Sequence, residues 1–220
     1  MKGNRLFSRR FGYMLIFPSA IVFLIVSIYP LLTGIMLSFQ NSSLYKGNEK
    51  KFVGLKNIIT ILTSDAEFRS DLLFTVIYTI GIVVIAYITG LVFSLLLNAD
   101  MPCRTLFRVL ILIPWVISPA VSSMSWSWLL SDQYGFFNNF LKSIGVIDKS
   151  ILFLADKTLA KIMVIIIGAW RNFPFITVSL LAGLQGISKD YYEAADIDGA
   201  NKFQRFRYVT FPHLKNVSII

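Results

Sequence analysis

The stretch Asp190–Pro212 reads DYYEAADIDGANKFQRFRYVTFP and is the most polar part of the C-terminal half of the chain. It lies between two apolar runs, so it connects two segments that avoid water. Either Ser188 or Asp190 can cap a first short helix, because a side-chain oxygen there accepts hydrogen bonds from free backbone amides. Small residues would give this helix a smooth side that another backbone can approach: Ala194, Ala195 and Gly199.

Gly199 suits a left-handed turn at the end of this first helix, because glycine has no Cβ to strain that conformation. A second helix is expected to start near Asn201, with Phe203, Phe206 and Thr210 at helical spacing. Because proline interrupts the helical hydrogen-bond pattern, we expect Pro212 to end this second helix. The stretch therefore predicts two short helices joined by a glycine turn.

The spacing of this stretch resembles the EAA loop of binding-protein-dependent ABC transporter permeases, whose pattern is EAA-x3-G-x9-I-x-L-P. The matching residues are Glu193, Ala194, Ala195, Gly199, Val209, Phe211 and Pro212. Valine and phenylalanine stand where the family favours isoleucine and leucine. The IDGA sequence at 197–200 is typical of the sugar-permease branch, which includes the maltose and glycerol-3-phosphate permeases. An ordinary amphipathic loop between two membrane helices is the alternative interpretation.

The composition indicates a membrane protein. Charged residues make up only 15% of the chain and hydrophobic residues 55%, whereas about a quarter of a soluble domain is charged. The net charge of +9 needs no nucleic-acid partner, because basic residues accumulate on the cytoplasmic flanks of membrane helices. A single cysteine, Cys103, excludes an intramolecular disulfide, and with a single histidine, His213, we expect no metal site.

Four apolar runs are long enough to cross a membrane, and a fifth is beginning where the sequence stops. The runs cover about 11–39, 72–97, 106–130 and 158–184, and the start of the fifth covers 216–220. The first run is about twice as long as the apolar core of a secretory signal, so we expect it to be retained. In the second run, Gly81 and Gly90 are expected to allow close helix contact, because small residues drive packing inside lipid. With the resemblance above, these runs predict an all-α fold, a polytopic transmembrane helix bundle of the type I ABC importer permease kind.

The distribution of basic residues indicates which segments are cytoplasmic. Residues 1–10, the turn at 98–108 and the loop at 188–215 fall on one side, and the mixed-charge segments at 40–71 and 132–157 fall on the other. Within the first mixed-charge segment a short helix is expected at about 56–63. The excess of basic residues on the first side is moderate. We expect a multi-pass protein of a bacterial or archaeal inner membrane, with its N-terminus and its EAA-like loop in the cytoplasm.

The third apolar run, at 106–130, resembles the family's FR-x-x-x-x-x-PWVISP stretch. We expect Pro114 and Pro119 to kink this span, because proline removes a helical hydrogen bond. Trp126 and Trp128 are expected near its outer end, as anchors at the membrane interface.

Hydroxyl side chains in this third run are candidates for a polar pathway. At 100° per residue, three of them lie within about 60° of one another and form one face: Ser118, Ser122 and Ser125. Ser123 and Ser127 are expected to point the other way.

Arg171 lies in the middle of the fourth apolar run. An arginine at a helix centre costs about 2.5–3.5 kcal/mol on insertion scales, so its guanidinium is expected to face a partner or a water-filled cavity. Trp170 and Phe173 flank it, and such a cationic and aromatic neighbourhood is suited to binding a sugar by stacking and hydrogen bonds. A structural pair with an acid or a carbonyl on another helix or subunit is the alternative interpretation.

No motif for phosphate binding or catalysis is present: GxxxxGK[ST], GxGxxG, HExxH and paired cysteines are all missing. We therefore expect no enzyme activity and no cofactor bound by this chain. The resemblance implies that a separate ABC ATPase uses the ATP and docks on the EAA-like loop, where Glu193 supplies a polar contact and Gly199 sets the angle between the helices. The residues of this ATPase-coupling loop are Glu193, Ala194, Ala195, Asp198, Gly199, Ala200, Phe206 and Pro212.

The resemblance implies a permease subunit of an ABC importer for a sugar or related carbohydrate. The partners it implies are an ABC ATPase, a second permease subunit of a different chain, an external solute-binding protein and membrane lipid. Family members usually continue for two further helices after the loop. The alternative is therefore a truncated or non-transporting membrane subunit that docks an ATPase without forming a pathway. An integral membrane enzyme is disfavoured because no catalytic constellation is present.

Overall fold

The long apolar runs of the sequence form helices, because a helix satisfies its backbone amides and carbonyls internally and so tolerates lipid. The computed structural model describes residues 3–41, 51–99 and 101–218. Within these ranges three helices are long and apolar enough to cross a membrane, and a bent pair of helices brings the number to four if the pair counts as one span. The predicted all-α membrane helix bundle is confirmed.

The first of two units, Met1–Leu73, begins with a nearly continuous helical run. Helix α1 (Gly3–Phe23) passes through a π-helical turn at Leu24–Ile28 into helix α2 (Tyr29–Ser38). The wider turn ends two residues before Pro30, whose ring and missing N–H disfavour regular α-helical geometry. The apolar part of this helical run, Phe11–Ser38, forms the first candidate span.

A short polar connection follows in the same unit. Strands β1 (Gln40–Asn41) and β2 (Lys51–Phe52) pair antiparallel, and helix α3 (Lys56–Ser64) lies where the sequence predicts a short helix. The Asn57 side-chain amide donates to the carbonyl oxygens of Ser38 and Gln40, at 2.9 and 3.0 Å. This contact fixes the start of α3 against the end of α2.

The second unit, Phe74–Ile220, contains most of helix α4 and all later helices. These are α4 (Ala66–Asn98), α5 (Arg104–Val116), α6 (Pro119–Leu129), α7 (Phe136–Ser143), α8 (Lys157–Gln185), α9 (Lys189–Ile197), α10 (Lys202–Arg205) and α11 (Phe211–Ser218). The start of a fifth span, predicted at 216–220, coincides with the end of α11, and 219–220 lie outside the described residues.

Helices α4 and α8 approach closely at two glycines, as the sequence predicts. A Cβ added to Gly81 would lie 2.9 Å from Ile165, and one added to Gly90 would lie 2.8 Å from Ile176. Small residues drive helix association in lipid by letting backbones come together. The expected role of both glycines is confirmed.

The third apolar run is broken rather than kinked, which corrects the prediction of a single kinked span. Helices α5 and α6 meet at 93°. Pro114 stays inside α5, whereas Pro119 occupies the first turn of α6. The residue before a proline is pushed toward extended backbone, and Ser118 adopts φ −54° and ψ 139°. The chain therefore turns sharply just before Pro119.

Replacing Gly90 by alanine is expected to push α4 away from α8, because the added Cβ would also lie 3.2 Å from the amide nitrogen of Thr177. A forced shift of this kind costs about 1–3 kcal/mol. We expect the purified Gly90→Ala chain to unfold at a lower temperature than the original chain in the same detergent.

Gly34→Ala is the matched control, because nothing lies within 4 Å of the Cβ position at Gly34 in α2. Both variants gain the same intrinsic helix propensity, so their difference isolates the close approach. An equal change in unfolding temperature for both variants would contradict the close approach of α4 and α8 at Gly90.

Candidate functional site

The first helix of the polar loop, α9, begins and ends with recognisable caps. The Ser188 hydroxyl accepts a hydrogen bond from the Asp190 amide at 3.3 Å. At the other end Gly199 adopts φ +74°, and the Ala200 amide donates to the carbonyl of Ala195 at 2.9 Å. This is the Schellman arrangement, in which a left-handed residue closes the helix. The predicted glycine turn is confirmed.

The second helix starts where predicted but does not stop where predicted. The Asn201 side chain accepts from the Gln204 amide and the Gln204 side chain accepts from the Asn201 amide, which forms a capping box. After α10 a π-helical turn at Phe206–Thr210 leads directly into α11, which contains Pro212. The expectation that Pro212 ends the helix is wrong, because the wider turn accommodates a proline in the first turn of α11.

Two side-chain contacts hold the arms of this helix–turn–helix together. The Arg205 guanidinium donates to both carboxylate oxygens of Asp196, at 2.7 and 2.8 Å. The Tyr192 hydroxyl shares a hydrogen bond of 3.1 Å with the hydroxyl of the buried Thr210. The angle between the arms is therefore set by these contacts as well as by the glycine turn.

The loop presents a mixed polar and apolar surface. Of the predicted coupling residues, Glu193, Ala194, Asp198, Gly199 and Pro212 are exposed, and Ala195, Ala200 and Phe206 are partly buried. Three large apolar side chains outside the predicted coupling set are exposed beside them: Ile197 at 87%, and Phe203 and Tyr208 at 70% each. The signal for these three was their presence in an otherwise polar segment.

The end of the second arm is buried against α8. Leu214 is fully buried and forms a cluster with Leu180 and Leu184. At the end of α11, the Ser218 hydroxyl shares a hydrogen bond of 2.8 Å with the Tyr87 hydroxyl of α4. Residues 202–218 thus form an uninterrupted helical connection between an exposed surface and the packed helices, which the sequence did not predict.

A cavity of about 320 Å³ lies between α4, α6 and α8. Its polar and aromatic lining includes Tyr78, Ser122, Ser123, Trp126, Ser127, Arg171 and Asn172. The Arg171 Nε atom and the Ser122 hydroxyl are buried and have no hydrogen-bond partner within the described chain. A buried donor without a partner is costly, so both groups are available to something that enters the cavity.

The cavity collects a different set of hydroxyls from the predicted face. Ser122, Ser123 and Ser127 line it, whereas Ser118 and Ser125 do not. The predicted grouping is corrected for two physical reasons. Ser118 precedes the first turn of α6 and so does not follow its helical phase, and Ser122 lies at one edge of the stripe that faces α8.

Two aromatic residues also lie elsewhere than expected. Phe173 packs against Phe93 of α4, with ring centroids 5.4 Å apart, and does not line the cavity. Trp126 does line it and meets Trp170 edge-on at 5.3 Å, so it is an internal residue rather than an interface anchor. Trp128 is exposed, as an anchor would be.

The sequence of this chain is similar to the sequences of known transport proteins. The model of the family described as binding-protein-dependent transport system inner membrane component matches residues 99–220. The trehalose/maltose transport system permease protein MalF of Thermococcus litoralis is 36% identical over 96% of this chain and 70% of its own length. The probable ABC transporter permease protein y4oQ of Sinorhizobium fredii is 39% identical over 90% of this chain and 63% of its own.

Solved structures share the fold. A bacterial ABC transporter involved in the import of the acidic polysaccharide alginate matches with a TM-score of 0.76 and 21% identity, over 96% of this chain and 71% of that one. The bacterial alginate ABC transporter in complex with an alginate pentasaccharide-bound periplasmic protein gives a TM-score of 0.78 at 19% identity, over 99% and 72%. The chain thus spans roughly two thirds to three quarters of the lengths of the proteins it matches.

We expect water to reach the side chains of α6 that line the cavity, and not those on the other side of this helix. In a Cys103→Ser background, a cysteine at Ser123 should react with a small aqueous thiol reagent, because Ser123 lines the cavity together with Arg171 and Asn172. A cysteine at Ser125 on the same helix should react much more slowly, because Ser125 is exposed outside the cavity on an apolar segment. The measurement is the labelling rate of each variant in membranes, and equal rates would contradict the placement.

Proposed function

Because the chain belongs to the family of binding-protein-dependent transport system inner membrane components, we propose that it is a permease subunit of an ATP-driven ABC importer for a sugar or related carbohydrate. It is a multi-pass protein of the inner membrane, and in our proposal its N-terminus and polar loop are cytoplasmic. The partners we propose are a separate ABC ATPase, a second permease subunit of a different chain, and an external solute-binding protein.

The names of the relatives and the lining of the cavity support a carbohydrate solute. Permeases for trehalose and maltose are among the relatives, and one is 36% identical. The cavity offers donors from Arg171 and Ser122 and an aromatic surface from Trp126. A few polar groups converging in an otherwise apolar pocket are typical of small-molecule sites. In this proposal Arg171 borders the solute pathway; pairing with an acid of the second permease subunit is the competing role.

One observation supports the coupling role most directly: a continuous helix leads from the exposed loop to the packed membrane helices. A partner that grips Glu193 and Ile197 on α9 also moves α10, because the Asp196–Arg205 pair links the two arms. This ion pair is partly exposed and contributes modestly to stability on its own. The glycine turn and the Tyr192–Thr210 hydrogen bond therefore also hold the two arms together.

Motion of the loop would reach the cavity through α8. Leu214 packs on Leu180 and Leu184, and Arg171 lies about 14–20 Å from these two residues along the same helix at ~1.5 Å per residue. Closure of a pair of ATPases would therefore displace the α8 wall of the cavity as part of a rigid-body change. In this proposal the partner hydrolyses ATP, and this chain binds no cofactor and is not an enzyme.

Substitution of Gly199 tests the coupling role, and Gly145 provides a matched control. Both residues adopt a left-handed turn, at φ +74° and +71°, and a Cβ at either position meets nothing within 4 Å. Leucine at either site should therefore cost a similar strain of about 1–2 kcal/mol. Only Gly199→Leu should re-aim the second arm, weakening ATPase binding or separating ATP hydrolysis from sugar uptake.

The readouts are binding of the ATPase subunit and sugar uptake by the assembled transporter in vesicles. Normal binding and uptake in Gly199→Leu would contradict the proposal, as would equal losses in Gly145→Leu. Binding of the ATPase by the original chain without any uptake would favour the non-transporting docking subunit instead.

Substitutions at Ile197 and Leu214 should distinguish binding of the ATPase from transmission of its movement to the membrane helices. Ile197→Ala removes an exposed apolar contact and is expected to weaken ATPase binding without affecting the fold. Leu214→Ala leaves a cavity at a fully buried site, at a cost of about 2–5 kcal/mol, and is expected to keep ATPase binding while lowering uptake per ATP hydrolysed. ATPase binding and uptake per ATP hydrolysed are measured for both variants side by side. The same change in both quantities for the two variants would contradict a loop that binds the ATPase through α9 and passes its movement to the membrane helices through α11.

A further inference from the structure

Helix α7 is held rigidly on the chain by one buried asparagine. Asn138 is 1% exposed, and its amide nitrogen donates to the carbonyl oxygens of Ser131 and Ile151, at 3.2 and 3.0 Å. Its amide oxygen accepts from the Ile151 amide at 2.8 Å. The orientation of α7 is therefore fixed, and so are the directions in which its exposed side chains point.

The exposed surface of α7 divides into an apolar stripe and a polar flank. Phe136, Phe140 and Ile144, the residue that directly follows α7, lie within about 80° around the helix axis and are 54%, 49% and 54% exposed. Lys142 lies about 200° away from Phe140 around the axis, and its ammonium donates to the Ser150 hydroxyl at 2.7 Å. Three large apolar side chains on one flank of so short a helix are unusual for a surface that faces water.

The apolar stripe is continuous with the membrane-crossing part of the chain. Phe136 and Phe140 stack at 5.9 Å, and Phe136 meets Phe137 edge-on at 5.7 Å. Phe137 in turn stacks on Trp126 of α6 at 6.0 Å. A run of aromatic contacts thus leads from the bent span directly onto α7, at the point where the span ends.

The bent span lacks the length that fixes the depth of a straight one. Helix α6 has 11 residues, or about 16 Å, against a hydrocarbon thickness of about 30 Å. Because α5 leaves it at 93°, the pair cannot hold its position by matching the bilayer thickness alone. An element at the membrane boundary would supply that position.

We propose that α7 is an interfacial helix, with Phe136, Phe140 and Ile144 inserted among lipid acyl chains and Lys142 turned toward the headgroups and water. Aromatic residues concentrate at this level of a bilayer, and amphipathic helices lie in it with their apolar side down. The helix then anchors the end of α6, and with it the Trp126 wall of the cavity, at a fixed depth. This inference does not depend on which solute is carried.

Spin labels on the two flanks test the proposal. Phe140→Cys and Lys142→Cys are each made in the full chain with Cys103→Ser, labelled with a nitroxide and reconstituted into phosphatidylcholine and phosphatidylglycerol vesicles. Collisions with oxygen report lipid, and collisions with a water-soluble nickel chelate report water. The label at 140 should collide several-fold more with oxygen than with nickel, and the label at 142 should show the reverse.

The labels are also placed at a second pair of positions, in Phe136→Cys and Asn139→Cys. Because Phe140 is intact in these two variants, they show whether the result depends on removing the Phe140 ring. Nickel access at both 136 and 140 that equals the access at 142 would overturn the proposal. Nickel access at 136 and 140 that is lost only on adding a soluble solute-binding protein would also overturn it, and would assign the stripe to a protein partner. Selective oxygen access at 136 and 140 supports the interfacial helix.

Discussion

Prolines inside membrane helices impose the constraint on which this structure depends. Each proline removes one backbone donor, and lipid offers no water to satisfy the carbonyl that is left. Two prolines of this chain, Pro30 and Pro212, sit at the second position of a helix that follows a five-residue π-helical turn. At both places the wider turn keeps the chain helical, with amide-to-carbonyl bonds from Tyr29 to Leu24 and from Phe211 to Phe206.

Pro119 shows the other outcome of the same constraint. The extended Ser118 before it is followed by a new helix rather than by a π-helical turn, so the chain changes direction by a right angle. The two outcomes have opposite mechanical consequences. The π-helical turn before Pro212 makes residues 202–218 one connection that can transmit displacement, whereas the break before Pro119 leaves α6 as a short separate piece.

The sequence predicted features that depend on local chemistry or on composition. The all-α membrane fold followed from apolar runs, the left-handed turn from Gly199, and the close helix contact from Gly81 and Gly90. The proximity of Ser122 and Arg171 in one cavity was also within reach, because a central arginine requires a polar neighbour.

Features that depend on tertiary packing were not predictable in the same way. A proline that ends a helix and one that lies within it look alike in sequence, so the continuation past Pro212 was missed. Ser118 was assigned to the serine face because periodicity was counted across the break before Pro119, and Ser125 because Ser122 lies only at one edge of the stripe that lines the cavity. The roles of Phe173 and Leu214 depend on Phe93 and on Leu180, which are distant in sequence, and no local pattern specifies such pairs.

The two proposals together give the cavity one fixed wall and one moving wall. Trp126 and Ser123 belong to α6, which an interfacial α7 would hold at constant depth. Arg171 and Asn172 belong to α8, against which the buried Leu214 at the end of the polar loop is packed. Displacement of the loop would then change the separation of the walls rather than carry the whole cavity with it. A permease needs such a difference in mobility, because a site whose walls all move together never opens to one side of the membrane.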